Sequence, residues 1–464
     1  MDETGVPPSS PPPVPFSEAV RTWARVAALS FGGPAGQIAV MHRILVQEKR
    51  WIGEERFLHA LNYCMLLPGP EAHELAIYIG WLMHRVRGGL VAGILFVLPG
   101  LVALTALSVI YGAFGHIGFV QALFFGLKAA VLAIVLQAVM RVGKRALKTP
   151  LLIGLAASAF VAIFAFGLPF PLIVLGAGLI GYVCSATGWL SANGGHAHAA
   201  ASPGGEPALI DAQFADGIPP HVRPSALRSA IAGAVGATVW LAPLVVLLLA
   251  FGPRNVFTAI ALFNSKMAVI TFGGAYAVLA YMAQQAVEHY HWLRPGEMLV
   301  GLGFAETTPG PLISVVDFVG FMAAFRQPGV LTPVLAGILG GALAMWSTFV
   351  PPFIWIFAGG PYVEALIGNR RLKAALSAIT AAVVGVIVNL AVWFALHTMF
   401  AQVGVTGRPV MALPLPVWGT IDWAALILCA AAAIATFRFK TGMLATFCGC
   451  SAAGLIYYLA TGAT

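Results

Sequence analysis

The sequence predicts an all-α polytopic membrane protein of about 12–13 membrane elements in two homologous halves, and three observations carry that expectation. First, only 9% of the 464 residues are charged while 59% are hydrophobic, and the mean hydropathy is +0.89. A soluble domain carries about 25% charged residues, too many more than this chain has for it to solvate its own surface. Second, apolar stretches approach or reach the about 20 residues that a helix needs to cross a bilayer. Leu90–Tyr111, Leu151–Phe166, Leu172–Trp189, Ala226–Phe251, Leu376–Met399 and Met443–Leu459 are the clearest. Third, the chain repeats itself.

In order along the chain, residues 1–15 are Pro- and Ser-rich with two acids. That composition suits a disordered tail and lacks the charged and apolar regions of a cleavable signal peptide. Spans are expected near 16–45, 57–86, 88–113, 119–142, 149–166 and 169–189, making a first repeat over 16–189. Residues 190–225, with paired glycines, acids and histidines, read as a solvated linker. A connecting helix over 226–256 leads to a second repeat over 257–464, with spans near 257, 297–326, 329–358, 362–399, 417–437 and 441–461.

The repeat rests on rare residues. LSFGGPAGQIAVMH at 29–42 returns as ITFGGAYAVLAYMA at 270–283, which sets Phe272 against Phe31 at a displacement of 241 residues. The same displacement carries Trp51 onto Trp292 and Pro68-Gly69-Pro70 onto Pro309-Gly310-Pro311. With a small insertion, Leu127-Lys128-Ala129-Ala130 reappears as Leu372-Lys373-Ala374-Ala375. Seven expected elements precede the second repeat, and an odd number inverts one half relative to the other, a recurring transporter design. Arg85, Arg87, Arg141, Lys144, Arg145, Lys148, Arg223, Arg228, Arg370, Arg371, Lys373, Arg438 and Lys440 then share the cytoplasmic side. Lys49, Arg50 and Arg56 fall on the opposite side, against that rule.

Thirty residues of unbroken helix would run about 45 Å, well past a bilayer core of about 30 Å. Gly32-Gly33-Pro34 should therefore split the first span, with a new half-helix starting at Pro34 and free N–H groups facing a cavity. The plain alternative is a kink that serves packing. Gly69-Pro70 and Gly310-Pro311 interrupt two further spans, and Gly273-Gly274 match the first break, so four breaks could converge near the midplane. Arg25 and Lys266, again 241 residues apart, lie six residues before each Phe-Gly-Gly and would suit a divalent anion. The alternative is that both snorkel to an interface. Ser30 and Thr271 occupy matching positions as hydroxyl donors. Glu71 opens a half-helix, where the dipole favours a carboxylate. Glu71, Glu74, Glu306 and Asp317 either relay protons or neutralise the cations.

These motifs carry a resemblance. The FGGP segment, the LPGPE run ending at Gly80, FVLPG at Phe96–Gly100 and ETTPGP at Glu306–Pro311 resemble the chromate transporter family, in its long two-domain form. The resemblance implies export of chromate across the bacterial inner membrane, conferring chromate resistance, with sulfate as a related cargo. It departs from the family pattern at Glu74 and Asp317, which stand where glutamine is usual.

Other classes fit less well. An intramembrane chromate reductase would need a dinucleotide fingerprint or a redox cysteine pair, and neither is present. A channel would need a continuous pore. The five cysteines lie in apolar segments, and His196 and His198 read as bystanders in a Gly/Ala tract, so no metal and no cofactor is expected. The formal charge of +8 reflects loop residues that orient a membrane protein, so the expected partners are the oxyanion and the lipid bilayer rather than nucleic acid. A second copy of the chain, forming a homodimer, is a further candidate partner.

Overall fold

The structure, a computed structural model, describes residues 14–186, 208–215, 217, 219–272, 275–363, 369–408 and 411–462. It opens with two helical hairpins that enter and leave at the same end of the bundle, here the near end. Helix α1 (Phe16–Leu29) stops at Ser30, and α2 (Gly33–Met41) returns through a π-helical segment, His42–Glu48. Glu18, in the first turn of α1, takes Lys49 Nζ at 2.7 Å, so the two open ends of this hairpin meet. Helix α3 (Glu54–Cys64) and the first part of α4 (Glu71–Phe114) form the second hairpin. Helix α4 changes direction at His84 and Arg85, which have non-helical backbone. His84 Nε2 lies 2.8 Å from the Val14 carbonyl, so this kink sits beside the start of α1. From Arg85 to Phe114 the helix rises about 44 Å, more than a hydrocarbon core of about 30 Å. That stretch reaches the far end.

Helices α5 (Gly118–Ala146), α6 (Pro150–Phe164) and α7 (Phe170–Ala186) then pass back and forth. A short α8 (Leu209–Ala215) precedes α9 (Ala226–Phe251). At the far end come two more hairpins. Helix α10 (Val256–Ile270) pairs with α11 (Ala275–Gln284), itself extended by a π segment, Gln285–His289. Helix α12 (Glu297–Thr307) pairs with α13 (Val316–Arg326) through a 3-10 turn, Leu312–Val315. Arg326 at the end of α13 binds Glu297 at the start of α12 at 2.7 Å, which closes the open end. Tyr111, near the far end of α4, donates to the same carboxylate at 3.1 Å. The far-end hairpins therefore open opposite to the near-end pair.

The chain finishes with α14 (Pro333–Phe349), α15 (Pro351–Gly359), α16 (Arg370–Met399), α17 (Trp423–Phe437) and α18 (Met443–Thr461). Among the described residues, six stretches are long and apolar enough to cross a membrane: Glu71–Phe114, Gly118–Ala146, Ala226–Phe251, Pro333–Tyr362, Arg370–Met399 and Met443–Thr461. Shorter apolar helices accompany them, so the protein is a multi-pass, all-α membrane protein. A small antiparallel hairpin interrupts this helical architecture, β1 (Val403–Arg408) with β2 (Met411–Pro416).

Two sequence expectations change. Segments 16–45 and 57–86 are re-entrant hairpins rather than crossings, because each break turns the chain back on itself. Lys49, Arg50 and Arg56 thereby join the near end, together with Arg85, and the conflict with the basic-residue rule disappears. The linker is also not wholly solvated. Leu209 and Ile210 donate backbone bonds to Arg50 and Trp51 at 3.1 and 2.9 Å, and Ile210 is 1% exposed. Asp211 Oδ2 accepts from Gly53 N at 2.9 Å and Asp211 Oδ1 from Arg56. Apolar Leu209, Ile210 and Phe214 anchor this short helix, a pattern hidden by the polar composition around it. Linker and 46–56 loop therefore share one end, where opposite ends were expected. Residues 190–207, with His196 and His198, lie outside the described residues.

Candidate functional site: four hairpin tips

The four breaks meet in two crossed pairs. Gly69 N donates to the Thr271 carbonyl at 2.9 Å, and Gly310 N donates to the Ser30 carbonyl at 2.9 Å. The two bonds are one another's image at the displacement of 241 residues. Each joins a Pro-Gly-Pro tip from one end to a Phe-Gly-Gly tip from the other. Non-helical backbone at membrane depth persists only where protein buries and pairs it, and these crossed bonds do part of that pairing.

Local chemistry explains each tip. Gly32 and Gly33 have φ of 83° and 71°, and Gly32 is the N-cap of α2 with Pro34 at its start. Gly69 and Gly310 have φ of 151° and 119°, which an L side chain rarely adopts. Pro70 and Pro311 precede the returning helices, and each accepts from the amide three residues on, His73 N and Ser314 N, both at 2.9 Å. Space is short as well. A Cβ on Gly310 would lie 3.2 Å from Gly100 Cα, and one on Gly69 would lie 2.6 Å from Glu74 Oε1. Ser30 and Thr271 are buried at the ends of α1 and α10, but their hydroxyls donate to their own helices, to Val26 and Met267. Gly273 and Gly274 lie outside the described residues.

The acids gather at these tips. Glu71 is half-buried in the first turn of the returning part of α4. Glu74 is 0% exposed, and neither carboxylate oxygen has a hydrogen-bond partner. Glu306 accepts from Tyr276 OH at 2.7 Å. Asp317 is fully buried and takes Thr105 Oγ1 at 3.1 and 3.3 Å. Arg25 and Lys266 are placed otherwise. Arg25 is exposed and pairs with Glu48 at 2.7 Å, and Lys266 is exposed with its Nζ 5.9 Å from the Tyr281 ring centre. Both lean from the tips toward the open ends of their own hairpins. Lys128 is half-buried in α5, its Nζ packed against Gly296 beside Glu297.

Four side chains at the tips escaped sequence reasoning. Gln37 donates through Nε2 to the Gly310 carbonyl, while its buried Oε1 is unpartnered. Tyr276 lies beside Gly33 and holds Glu306. Thr105 holds Asp317, and Arg141 lies close enough to act electrostatically on both Glu306 and Tyr276. Gln37 lies one turn after Gly33 on the same half-helix, where a polar side chain signals a partner without naming it. Tyr276 stands where the first half has Ala35, so the repeat gives no signal for it.

Comparison with known proteins agrees with the motifs. The sequence profile of the chromate transporter family matches residues 17–182 and, separately, 258–455. A chromate transport protein of Pseudomonas aeruginosa is 31% identical over 383 residues, covering 81% of this chain and 80% of its own. One from Cupriavidus metallidurans is 26% identical, covering 81% and 82%. An uncharacterized transporter of Methanocaldococcus jannaschii is 23% identical over 81% of this chain and 83% of its own. No solved structure matches.

Proposed function

The chain belongs to the chromate transporter family, and from that premise we propose that it is a secondary carrier exporting chromate across the bacterial inner membrane, so conferring chromate resistance. The supporting observation is the crossed pair of backbone bonds, Gly69 to Thr271 and Gly310 to Ser30. It brings the starts of half-helices from opposite ends to one place, and the N-terminal end of a helix favours an anion. The halves are taken as inverted repeats about this point. Five crossing stretches, namely the outer part of α4 with α5, α6, α7 and α9, separate the two hairpin pairs, and this odd number keeps the inversion.

Charge gives the direction. Expelling a dianion through 100 mV from a negative interior gains about 4.6 kcal/mol. Uptake would oppose the same energy. The tip acids add a second element. An ionised Glu74 or Asp317 beside a dianion repels it, so we assign these carboxyls the role of carrying protons while the anion is bound. Arg141 is the cation placed to offset Glu306.

Chromate flux into proteoliposomes under imposed potential and pH gradients, with sulfate and molybdate as competitors, tests the reading. Saturable chromate movement driven by the potential is expected, with sulfate, the nearest rival cargo, competing more weakly. Saturable transport of sulfate without chromate would overturn the cargo, and flux indifferent to the potential would overturn the driving force.

A further inference from the structure

We propose that the protein binds one anionic glycerophospholipid from the near-end leaflet in a groove between α4 and α9. The groove is about 940 Å³ and overwhelmingly apolar. One wall is α4, where Val86, Leu90, Ile94 and Leu98 present an exposed stripe at four-residue spacing. The opposite wall is α9, whose Ile231, Val235 and Val239 form a matching exposed stripe. Helix α9 buries none of its residues, although Trp240 Nε1 ties it to the Ser347 carbonyl of α14 at 3.1 Å. From Val86 to Leu98 the wall rises about 18 Å, roughly the depth of one leaflet of a core about 30 Å thick.

The mouth is chemically different from the walls. Arg85, Arg223 and Arg228 line it, with Ser225 capping α9 there. Trp81 and His221, ring centres 5.5 Å apart, fix this mouth at the near end, beside the docked linker. Three guanidiniums beside a helix N-terminus recognise a phosphate, and long apolar walls below them recognise acyl chains. Phosphate and chain together describe a phospholipid rather than a soluble anion, and the cationic mouth selects an acidic one. The floor is made by Phe349, Phe353 and the fully buried His73, one position before Glu74. The groove therefore reaches the turn of α4 that carries Glu74, and its occupant covers that face of the turn.

The test uses the full chain in nanodiscs of phosphatidylcholine doped with phosphatidylglycerol, followed by native mass spectrometry of the detergent-released protein. Wild type should retain one phosphatidylglycerol. A variant combining Arg85→Gln, Arg223→Gln and Arg228→Gln should retain it on the order of a hundredfold less. Ile94→Trp, which leaves the charges intact and fills the groove, should lose it too, with both variants monodisperse and unfolding as wild type does. Equal retention by the triple variant, equal retention of phosphatidylcholine, displacement by glycerol phosphate, or a second copy of the chain seated on α9 in place of lipid would each overturn the proposal.

Discussion

Gly310 and Gln37 show how much one residue can hold at a hairpin tip. Alanine at Gly310 meets both a φ of 119° and the backbone of Gly100 at 3.2 Å. Strain of this kind costs about 1–3 kcal/mol, so Gly310→Ala is expected to lower the melting temperature and abolish chromate flux. Removing Gln37 leaves the Gly310 carbonyl unpaired, a loss of about 1–3 kcal/mol, and Gln37→Ala is expected to raise the chromate KM about tenfold or more. Arg25→Gln should do far less, below about threefold, because Arg25 is an exposed partner of Glu48 and exposed pairs contribute about 0–1 kcal/mol. Glu74→Gln removes the titratable group while keeping the side chain's shape. It should keep transport and flatten its pH dependence, whereas wild-type flux should fall as pH rises and the carboxyl loses its proton; an unchanged pH profile in the variant would remove Glu74 from that role. The glycines and acids were legible because their chemistry shows at a single position. Gln37 and Tyr276 were not, since a polar residue in an apolar helix signals only that it has a partner, not which one.

At the scale of elements, helix breaks were visible in the sequence but their consequence was not. Gly-Gly-Pro and Pro-Gly-Pro predict that a helix stops; whether the next helix continues forward or turns back depends on contacts between distant segments. Glu18 with Lys49, and Glu297 with Arg326, settle it for two of the hairpins. Removing one partner of a largely buried pair is costly, about 3–5 kcal/mol when burial is complete. Glu297→Gln should therefore lower stability measurably, and Glu297→Gln with Arg326→Leu should recover part of the loss. A double variant no better than the single would show that the pair does not hold the α12–α13 open end. The linker teaches a related lesson. Its composition is polar on average, yet three apolar side chains suffice to dock α8, and Asp211 supplies to Gly53 N the carboxylate that Glu297 supplies to Arg294 N at 2.7 Å in the other half. Asp211→Asn should loosen α8 and speed hydrogen exchange at Leu209 and Ile210; unaltered exchange would assign the docking to apolar contact alone.

Over the whole molecule, the class, the helical content and the internal displacement could be read directly, because apolar length and rare residues survive averaging. The placement of the ends could not, since counting crossings treats every apolar segment as a full span. With the hairpins turned back, labelling should find Glu55→Cys and Gln213→Cys accessible only from the cytoplasm and Val330→Cys only from outside; Glu55 and Val330 reacting from one side would undo the inversion. The central claim is that the oxyanion sits where the four tips meet. It is tested most directly by chromate protection of a single cysteine at Ala35, beside Gly33, with the five native cysteines replaced. Chromate should slow thiol labelling with a half-effect near its transport KM, while nitrate does not. Labelling unaffected by saturating chromate, in a variant that still transports it, would place the anion elsewhere.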